Sequence, residues 1–415
     1  MAQRLLFIST RFLFPIDSGG KIRTSQILRG LKGGGFRILL ISPASDELVE
    51  RHVADLDEVC DEFRWWREPR RGPFFQYTRM RHLISPLPIP VRTDRNSGGI
   101  ALVKDALTQM PDVAVFDFAH AAILGPVDLS CPTVMFTHNV EAEIFRRHRD
   151  VAANPLFRKI WSDQHRKMRK FEKHALEKFD VVVAVAERDA QQFASDYDIA
   201  APFVIPTGVD LEFFSYQAPT RRRDVVFCGS MDWMANQEGV AFFIDEVWSK
   251  IAEAIPEATM TVVGRGPPAG LVAESTRRNL KWNFTGFVDD VRPYVQGSAV
   301  SVIPLRVGGG TRLKVFEAMA MGSPVVSTSI GVEGLPVEPE RHYLRADDST
   351  EFAQAVVALL NNETIAKRLS GAARAFVEQN CSYTMAAKAF EEACHLAISR
   401  YASESSANKL TNSSK

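Results

Sequence analysis

An α/β fold of two doubly wound, Rossmann-like domains is predicted for this sequence on three observations. Short apolar strands alternate with helical stretches over residues 4–205, and the alternation restarts at Asp224. Each half contains a strand–glycine–helix junction, at Gly19-Gly20 and at Gly308-Gly309-Gly310. The 415 residues also exceed the roughly 250–300 at which single cores stop growing. The expected division is an N-terminal domain over 1–206 and a C-terminal domain over 207–380, facing one another across a cleft. A helix over 381–402 then packs back toward the N-terminal domain, and the polar tail 403–415 is disordered.

The strand Arg4 to Thr10 is an apolar run of the kind buried in parallel sheets. A loop with Pro15 and Gly19-Gly20 leads into a helix carrying Lys21, Arg23, Ile27, Leu28 and Leu31, which Gly33-Gly34-Gly35 stops. Strand Phe36–Ser42 and helix Glu47–Cys60 follow. Residues 64–96 are irregular, mixing Trp65, Trp66, Phe74, Phe75 and Tyr77 with six arginines ahead of Pro86, Pro88 and Pro90. They read as structural cover, or as a loop bordering an acceptor site or anionic lipid.

Strands Asp112–Phe116 and Thr133–Thr137 come next, the second delivering His138, Asn139 and Glu141 at its carboxyl end, where α/β sheets bind ligands. Helix Pro155–Phe179 is rich in Arg and Lys, with Leu156, Ile160, Met168, Phe171, Ala175 and Phe179 roughly on one face. The plain reading is a solvated helix and the sharper one a face for anionic membrane. Strand Asp180–Val185, a helix from Glu187 and strand Phe203–Ile205 complete the first half. The second half runs through strand Asp224–Cys228, turn Gly229-Ser230, helix Ala235–Ile255, strand Thr259–Val263, strand Lys281–Thr285 with Gly286-Phe287-Val288, and strand Ala299–Pro304. Past the glycine triplet come a helix from Thr311, strand Val325–Ser327, and helices Ser349–Asn361, Thr364–Asn380 and Tyr383–Tyr401.

The formal net charge of zero argues against a nucleic-acid partner. Five cysteines without a CxxC pair suggest neither a disulfide framework nor a zinc site, and fit a reducing compartment. No start resembling a signal peptide is visible, and no apolar run reaches the roughly 18–20 residues that span a bilayer. A cytoplasmic protein is expected. Asp55-Leu56-Asp57 has DxD spelling but falls in an amphipathic helical run, so no metal site is assigned.

The stretch from Ile303 to Leu335 concentrates the chemistry. Glycines admit a bulky anion close to the backbone, and the first amides of a helix carry unpaired donors and partial positive charge. Thr311, Arg312 and Lys314 stand at that mouth, and Glu317 lies deeper, where a carboxylate can accept bonds from vicinal sugar hydroxyls. The stretch reads as a holder for a nucleoside diphosphate.

Four segments together, PLRVGGGTRLKVFEAMAMGSPVVST (304–328), VIPTGVDLEFF (204–214), THNVE (137–141) and SGGKIRT (18–24), resemble the GT-B glycosyltransferases. The resemblance is to family 4, the retaining, nucleotide-sugar-dependent enzymes, and within it to bacterial exopolysaccharide-associated sugar transferases of the PEP-CTERM-linked type. It covers nearly the whole chain. It implies that Gly19-Gly20 face donor phosphates and acceptor, that His138 touches the donor sugar's hydroxyls, that Glu317 holds the ribose and that Gly286-Phe287-Val288 border the base. The first glutamate of the family's E-x7-E element is replaced here by Gly309, and its usual Arg and Lys by Ser230 and Asn236. Arg312 and Lys314 are expected to restore that charge from the opposite side of the phosphates.

Catalysis then reduces to stabilising negative charge on the departing diphosphate. With no second carboxylate placed for double displacement, the resemblance implies same-face attack with retention, without metal or cofactor, on a UDP- or GDP-linked donor. The acceptor would be a glycan or a lipid-linked acceptor at the inner membrane face. A nucleotide-sugar 2-epimerase would instead turn over donor alone, and an inactive binding protein would hold donor without turnover.

Overall fold

The computed structural model describes residues 2–16, 18–67, 79–152, 154–205, 208–218, 223–307 and 312–412. The chain divides into two compact units, one formed by Met1–Pro206 with Tyr383–Lys415 and the other by Thr207–Ser382.

The first unit is a seven-stranded parallel sheet. Its strands are β1 (Gln3–Ser9), β2 (Phe36–Ala44), β3 (Glu62–Arg67), β4 (Val113–Asp117), β5 (Thr133–Phe136), β6 (Val181–Ala184) and β7 (Phe203–Val204), in the order β3-β2-β1-β4-β5-β6-β7. The central strands are buried on both faces because helices cover both sides, so their sequences are unbroken apolar runs. Strand order reverses between β1 and β4, and a doubly wound sheet opens a ligand crevice where it does so. The residues leading out of those two strands, from Arg11 and from Phe118, are therefore placed at the first unit's switch point.

The second unit repeats the scheme in six parallel strands: β8 (Asp224–Cys228), β9 (Thr259–Val263), β10 (Trp282–Gly286), β11 (Val300–Ile303), β12 (Val325–Ser327) and β13 (Leu344–Arg345). Their order is β10-β9-β8-β11-β12-β13, so the reversal lies between β8 and β11. Gly229-Ser230 leave one of these strands, and the chain toward the glycine triplet leaves the other.

Helix α1 (Gly19–Leu31) follows β1; α2 (Glu141–Val151) and α3 (Pro155–Leu176) follow β5; α4 (Glu187–Tyr197) follows β6. In the second unit α5 (Met234–Phe242) follows β8 and α6 (Leu313–Ala320) follows β11. The last helix, α7 (Tyr383–Asn412), buries Ala386, Phe390, Ala393, Cys394 and Ala397 in the core of the first unit, against α1 and β5.

Several expectations are corrected. Residues 62–67 form strand β3, not irregular cover; Glu-Phe-Arg-Trp-Trp-Arg on a sheet edge buries only Trp66 fully, so its charged positions hide the period. The helix expected over 47–60 is two, broken at His52, which adopts a non-helical conformation. The helix expected over 235–255 is interrupted by a π turn at Phe243–Val247. The final helix runs through 403–412 to Asn412, where Ala, Glu and Lys favour helix. Of the apolar positions of α3, Met168 and Ala175 are buried, whereas Leu156 is 64% exposed.

Candidate active site

In the first unit the site assembles around His138, which follows β5 and is 2% exposed. Its Nε2 lies 2.7 Å from Asp117 Oδ1 and its Nδ1 lies 2.9 Å from Arg23 Nη1. A carboxylate can only accept and a guanidinium only donate, so these partners assign the neutral imidazole with its proton on Nε2. Burial lowers the pKa of His138; Asp117 opposes that shift and Arg23 adds to it. Phe118 stacks on the ring at 4.0 Å between centroids, and Phe136 tilts against it at 4.3 Å.

Asp117 ends β4 and is 2% exposed. It also accepts from Ser9 Oγ at 3.1 Å and from Thr24 Oγ1 at 3.2 and 3.3 Å. One carboxylate thus ties β1, α1 and β4 to the histidine. Gly20 is required beside it, because a Cβ there would come within 2.6 Å of the Phe118 ring.

Gly19 and Gly20 open α1, Lys21 donates to Pro15 O at 3.1 Å, and Arg23 is 3% exposed. The expected contact of His138 with a sugar hydroxyl requires one of its two ring bonds to give way. Asn139 is partly buried beside it, and Glu141 begins α2. The Glu141 amide donates to Glu172 Oε1 at 2.8 Å, and its carboxylate lies 3.7 Å from His120 Nε2. Glu172, buried in α3, is pushed up to about 7 by burial, while bonds from Tyr197 and the first amides of α2 draw it down.

In the second unit the C-terminal ends of β8, β9 and β10 lie side by side. A Cβ on Gly264 would meet Gly229 O at 2.0 Å, and the Gly264 amide donates to Gly286 O at 3.2 Å. Gly286 adopts φ of 69°, a left-handed conformation natural to glycine. Phe287 is 70% exposed and Val288 packs into the core.

Lys314, in the first turn of α6, reaches back to this edge. Its Nζ donates to Asn236 Oδ1 at 2.9 Å and sits 4.5 Å from the Phe227 ring centroid. Asn236 is 2% exposed, and its Nδ2 donates to Ser230 O at 2.7 Å. A Cβ on Gly229 would fall 2.5 Å from the Lys314 ammonium, so a side chain there would displace the lysine's end from this position. Burial lowers Lys314 to about 8 and raises Glu317 to about 7, each charge partly offsetting the other's shift. Arg312, 3% exposed, donates from Nε to Ile330 O at 3.3 Å and lies 5.7 Å over the Trp233 ring.

The structure therefore brings Lys314, Gly229, Ser230 and Asn236 together, with Glu317 and Arg312 beside them in charge. Gly308, Gly309, Gly310 and Thr311 lie outside the described residues. Among the described residues no group of three or more His, Cys, Asp or Glu is placed to hold a metal, and Asp55 instead meets His52 at 2.7 Å. Sequence reasoning missed Asp117, Phe118 and the hold of Asn236 on Lys314. An aspartate closing an otherwise apolar strand was the available signal for the first.

Residues 18–213 match the family model described as Glycosyltransferase Family 4, and residues 222–362 that described as Glycosyl transferases group 1. An uncharacterized 44.6 kDa protein in the cps region of Klebsiella pneumoniae is 19% identical over 387 residues, covering 91% of this chain and 96% of that one. A phosphatidyl-myo-inositol mannosyltransferase of Mycobacterium leprae (strain TN) is 27% identical over 173 residues, 40% of this chain and 46% of its own length. Among solved structures, HepE of Anabaena in complex with UDP and glucose superposes with a TM-score of 0.67 at 14% identity, covering 94% of this chain and 98% of that one. Two such matches on two parallel-sheet domains make the chain a glycosyltransferase of the GT-B fold.

Proposed function

We propose that this glycosyltransferase moves a sugar from a UDP- or GDP-linked donor to a glycan or lipid-linked acceptor, with retention of anomeric configuration and without a metal. The observation that carries the reading is the ammonium of Lys314, held by Asn236 and Phe227 beside Gly229 at the mouth of β8. A cation fixed against glycine at a switch point suits a diphosphate, and its charge counts most where leaving-group charge grows. Arg312 adds a second cation, Gly19-Gly20 approach the phosphates, Glu317 accepts from the ribose hydroxyls and Phe287 borders the base. The acceptor hydroxyl attacks the anomeric carbon as the carbon–oxygen bond to the diphosphate breaks, and its proton passes to a leaving phosphate oxygen. His138 orients the sugar.

Solved HepE complexes with UDP and with UDP-glucose support a nucleotide-sugar donor. The relative in a cps region supports a place in exopolysaccharide or other cell-surface polysaccharide synthesis. We place the enzyme in the cytoplasm, peripheral at the inner membrane face. There Leu156 and Phe157, 64% and 55% exposed beside Arg158 and Lys159 at the start of α3, suit an anionic bilayer surface.

Calorimetric titration with UDP and GDP tests the reading. Charge-assisted bonds contribute about 1.5–3 kcal/mol, so Lys314→Ala should weaken nucleotide binding by about tenfold or more. Wild-type affinity in that variant overturns it.

A further inference from the structure

A second histidine of the first unit is less completely bonded than His138. His120 lies in the 3-10 turn Ala119–Leu124 that follows β4, and its side chain is 7% exposed. Its Nδ1 is 3.3 Å from Oδ2 of Asp94, the last residue of a short helix over Ile89–Asp94. Its Nε2 is 3.7 Å from Oε2 of Glu141, which begins α2. That second distance is within ion-pair range but too long for a hydrogen bond, and Nε2 has no hydrogen-bond partner among the described residues. Carboxylates only accept, so the imidazolium, with a proton on each nitrogen, suits both neighbours. Burial alone would lower the pKa of His120. The bond to Asp94 and the charges of Glu141 and Asp94 outweigh burial, against Arg11, and hold it above its ordinary value.

The two histidines are paired crosswise between the same two strand ends. The end of β4 supplies Asp117 to His138 and carries His120; the chain leaving β5 carries His138 and supplies Glu141 to His120. Between Asp117 and His120, Phe118 stacks on the His138 ring and adopts φ 67° and ψ 146°, a backbone region nearly reserved for glycine. The charge of Glu141 acts on both imidazoles. The pairs differ in one respect. His138 has a hydrogen-bonding partner on each nitrogen, whereas His120 has a buried donor without an acceptor, which is costly to leave unmade. Such strand ends are where parallel sheets take ligands. An oxygen about 2.8 Å from both Nε2 and Oε2 fits their separation, and a hydroxyl can accept from the one and donate to the other. Glu141, its side chain 13% exposed, is the more open of the pair.

We propose that His120 and Glu141 bind one hydroxyl of the sugar being transferred, with Asp94 orienting the imidazole. The hydroxyl donates to Glu141 and accepts from the Nε2–H of His120, and the Glu141 side chain turns toward solvent to admit it. A donor and an acceptor fixed together select a sugar by where it carries that hydroxyl, and they reject one that lacks it there. The inference rests on the donor reading for its nucleotide, but its residues are separate from those that hold the diphosphate.

The test is calorimetric titration of the full chain with UDP, GDP, UDP-glucose, UDP-galactose, UDP-N-acetylglucosamine and GDP-mannose. Its readout is the ratio of each sugar nucleotide's dissociation constant to that of its parent nucleotide. For the sugar nucleotide with the lowest ratio in the wild type, Glu141→Ala should raise that ratio about tenfold, as loss of a charge-assisted bond does. Affinity for the parent nucleotide should stay the same. Two amide replacements separate sugar binding from a structural tie to Asp94. Glutamine places an N–H near the position of Nε2 and asparagine near that of Nδ1, so His120→Gln should keep most of the wild-type preference and His120→Asn should lose it. A glutamine variant no better than the asparagine one, or an unchanged ratio in Glu141→Ala, overturns the proposal. Failure of UDP and GDP to bind the wild-type chain counts against the donor reading instead.

Discussion

Lys314 and Glu317 are one turn apart on α6, and burial pushes each toward neutrality, the lysine down to about 8 and the glutamate up to about 7. For the empty enzyme, the depressed lysine contributes stability present above its ordinary pKa and lost as pH falls through about 8. The raised glutamate contributes stability present below its ordinary pKa and lost as pH rises through about 7. Near neutrality both groups are therefore held at a cost, which an arriving diphosphate offsets on the lysine side. Binding draws on the protonated amine, so UDP affinity should fall as pH rises beyond about 8, approaching tenfold per unit. Lys314→Arg keeps its charge throughout this range and should remove that alkaline limb. Isothermal titration at pH 7 to 10 reads both, and a limb that survives in the arginine variant denies the lysine its role. The contact that holds the lysine was half legible. Spacing put a lysine at the mouth of a glycine turn, but no periodicity could reveal that Asn236, 78 positions away, accepts its hydrogen bond.

At the scale of elements, apolar runs announced most strands because parallel strands covered on both faces need no polar side. Where that condition failed, the sequence misled: β3 lies on an edge, and β13 is two residues long. The π turn at Phe243–Val247 was hidden because Phe242, Phe243, Ile244 and Val247 are all buried, leaving no exposed face to mark the change of pitch. A close helix contact was equally silent in sequence. Gly30 lies on α1 where α7 crosses, and a Cβ there would stand 2.4 Å from the Ala387 Cβ, far inside van der Waals contact. Neither backbone can retreat without opening the core that Ile27, Phe390 and Ala393 fill. Gly30→Ala should therefore destabilise the first unit by about 1–3 kcal/mol, the usual cost of overpacking. Urea denaturation measures it, and an unchanged midpoint would show that the helices can part at no cost.

Across the whole molecule, the chain leaves the first unit after Pro206, builds the second over Thr207–Ser382 and returns only for α7. The second unit is contiguous in sequence, whereas the first lacks part of its core until the last helix has been made. Phe390 is the centre of that dependence: it is fully buried and meets Phe136 of β5 edge-on at 4.9 Å between ring centroids. Replacing it with alanine removes a ring from a closed core, at a cost of about 3–5 kcal/mol. The loss belongs to one unit. A ligand held by Lys314 should stabilise the other, by about 2.7 kcal/mol at a hundredfold excess over its dissociation constant. Calorimetry of Phe390→Ala with and without UDP separates the two. The transition that UDP leaves in place should fall, by roughly 2–4 °C per kcal/mol for a unit of this size, while the one UDP raises should keep its wild-type midpoint. A drop in the UDP-sensitive transition would instead mean that the closing helix supports the half that holds the nucleotide.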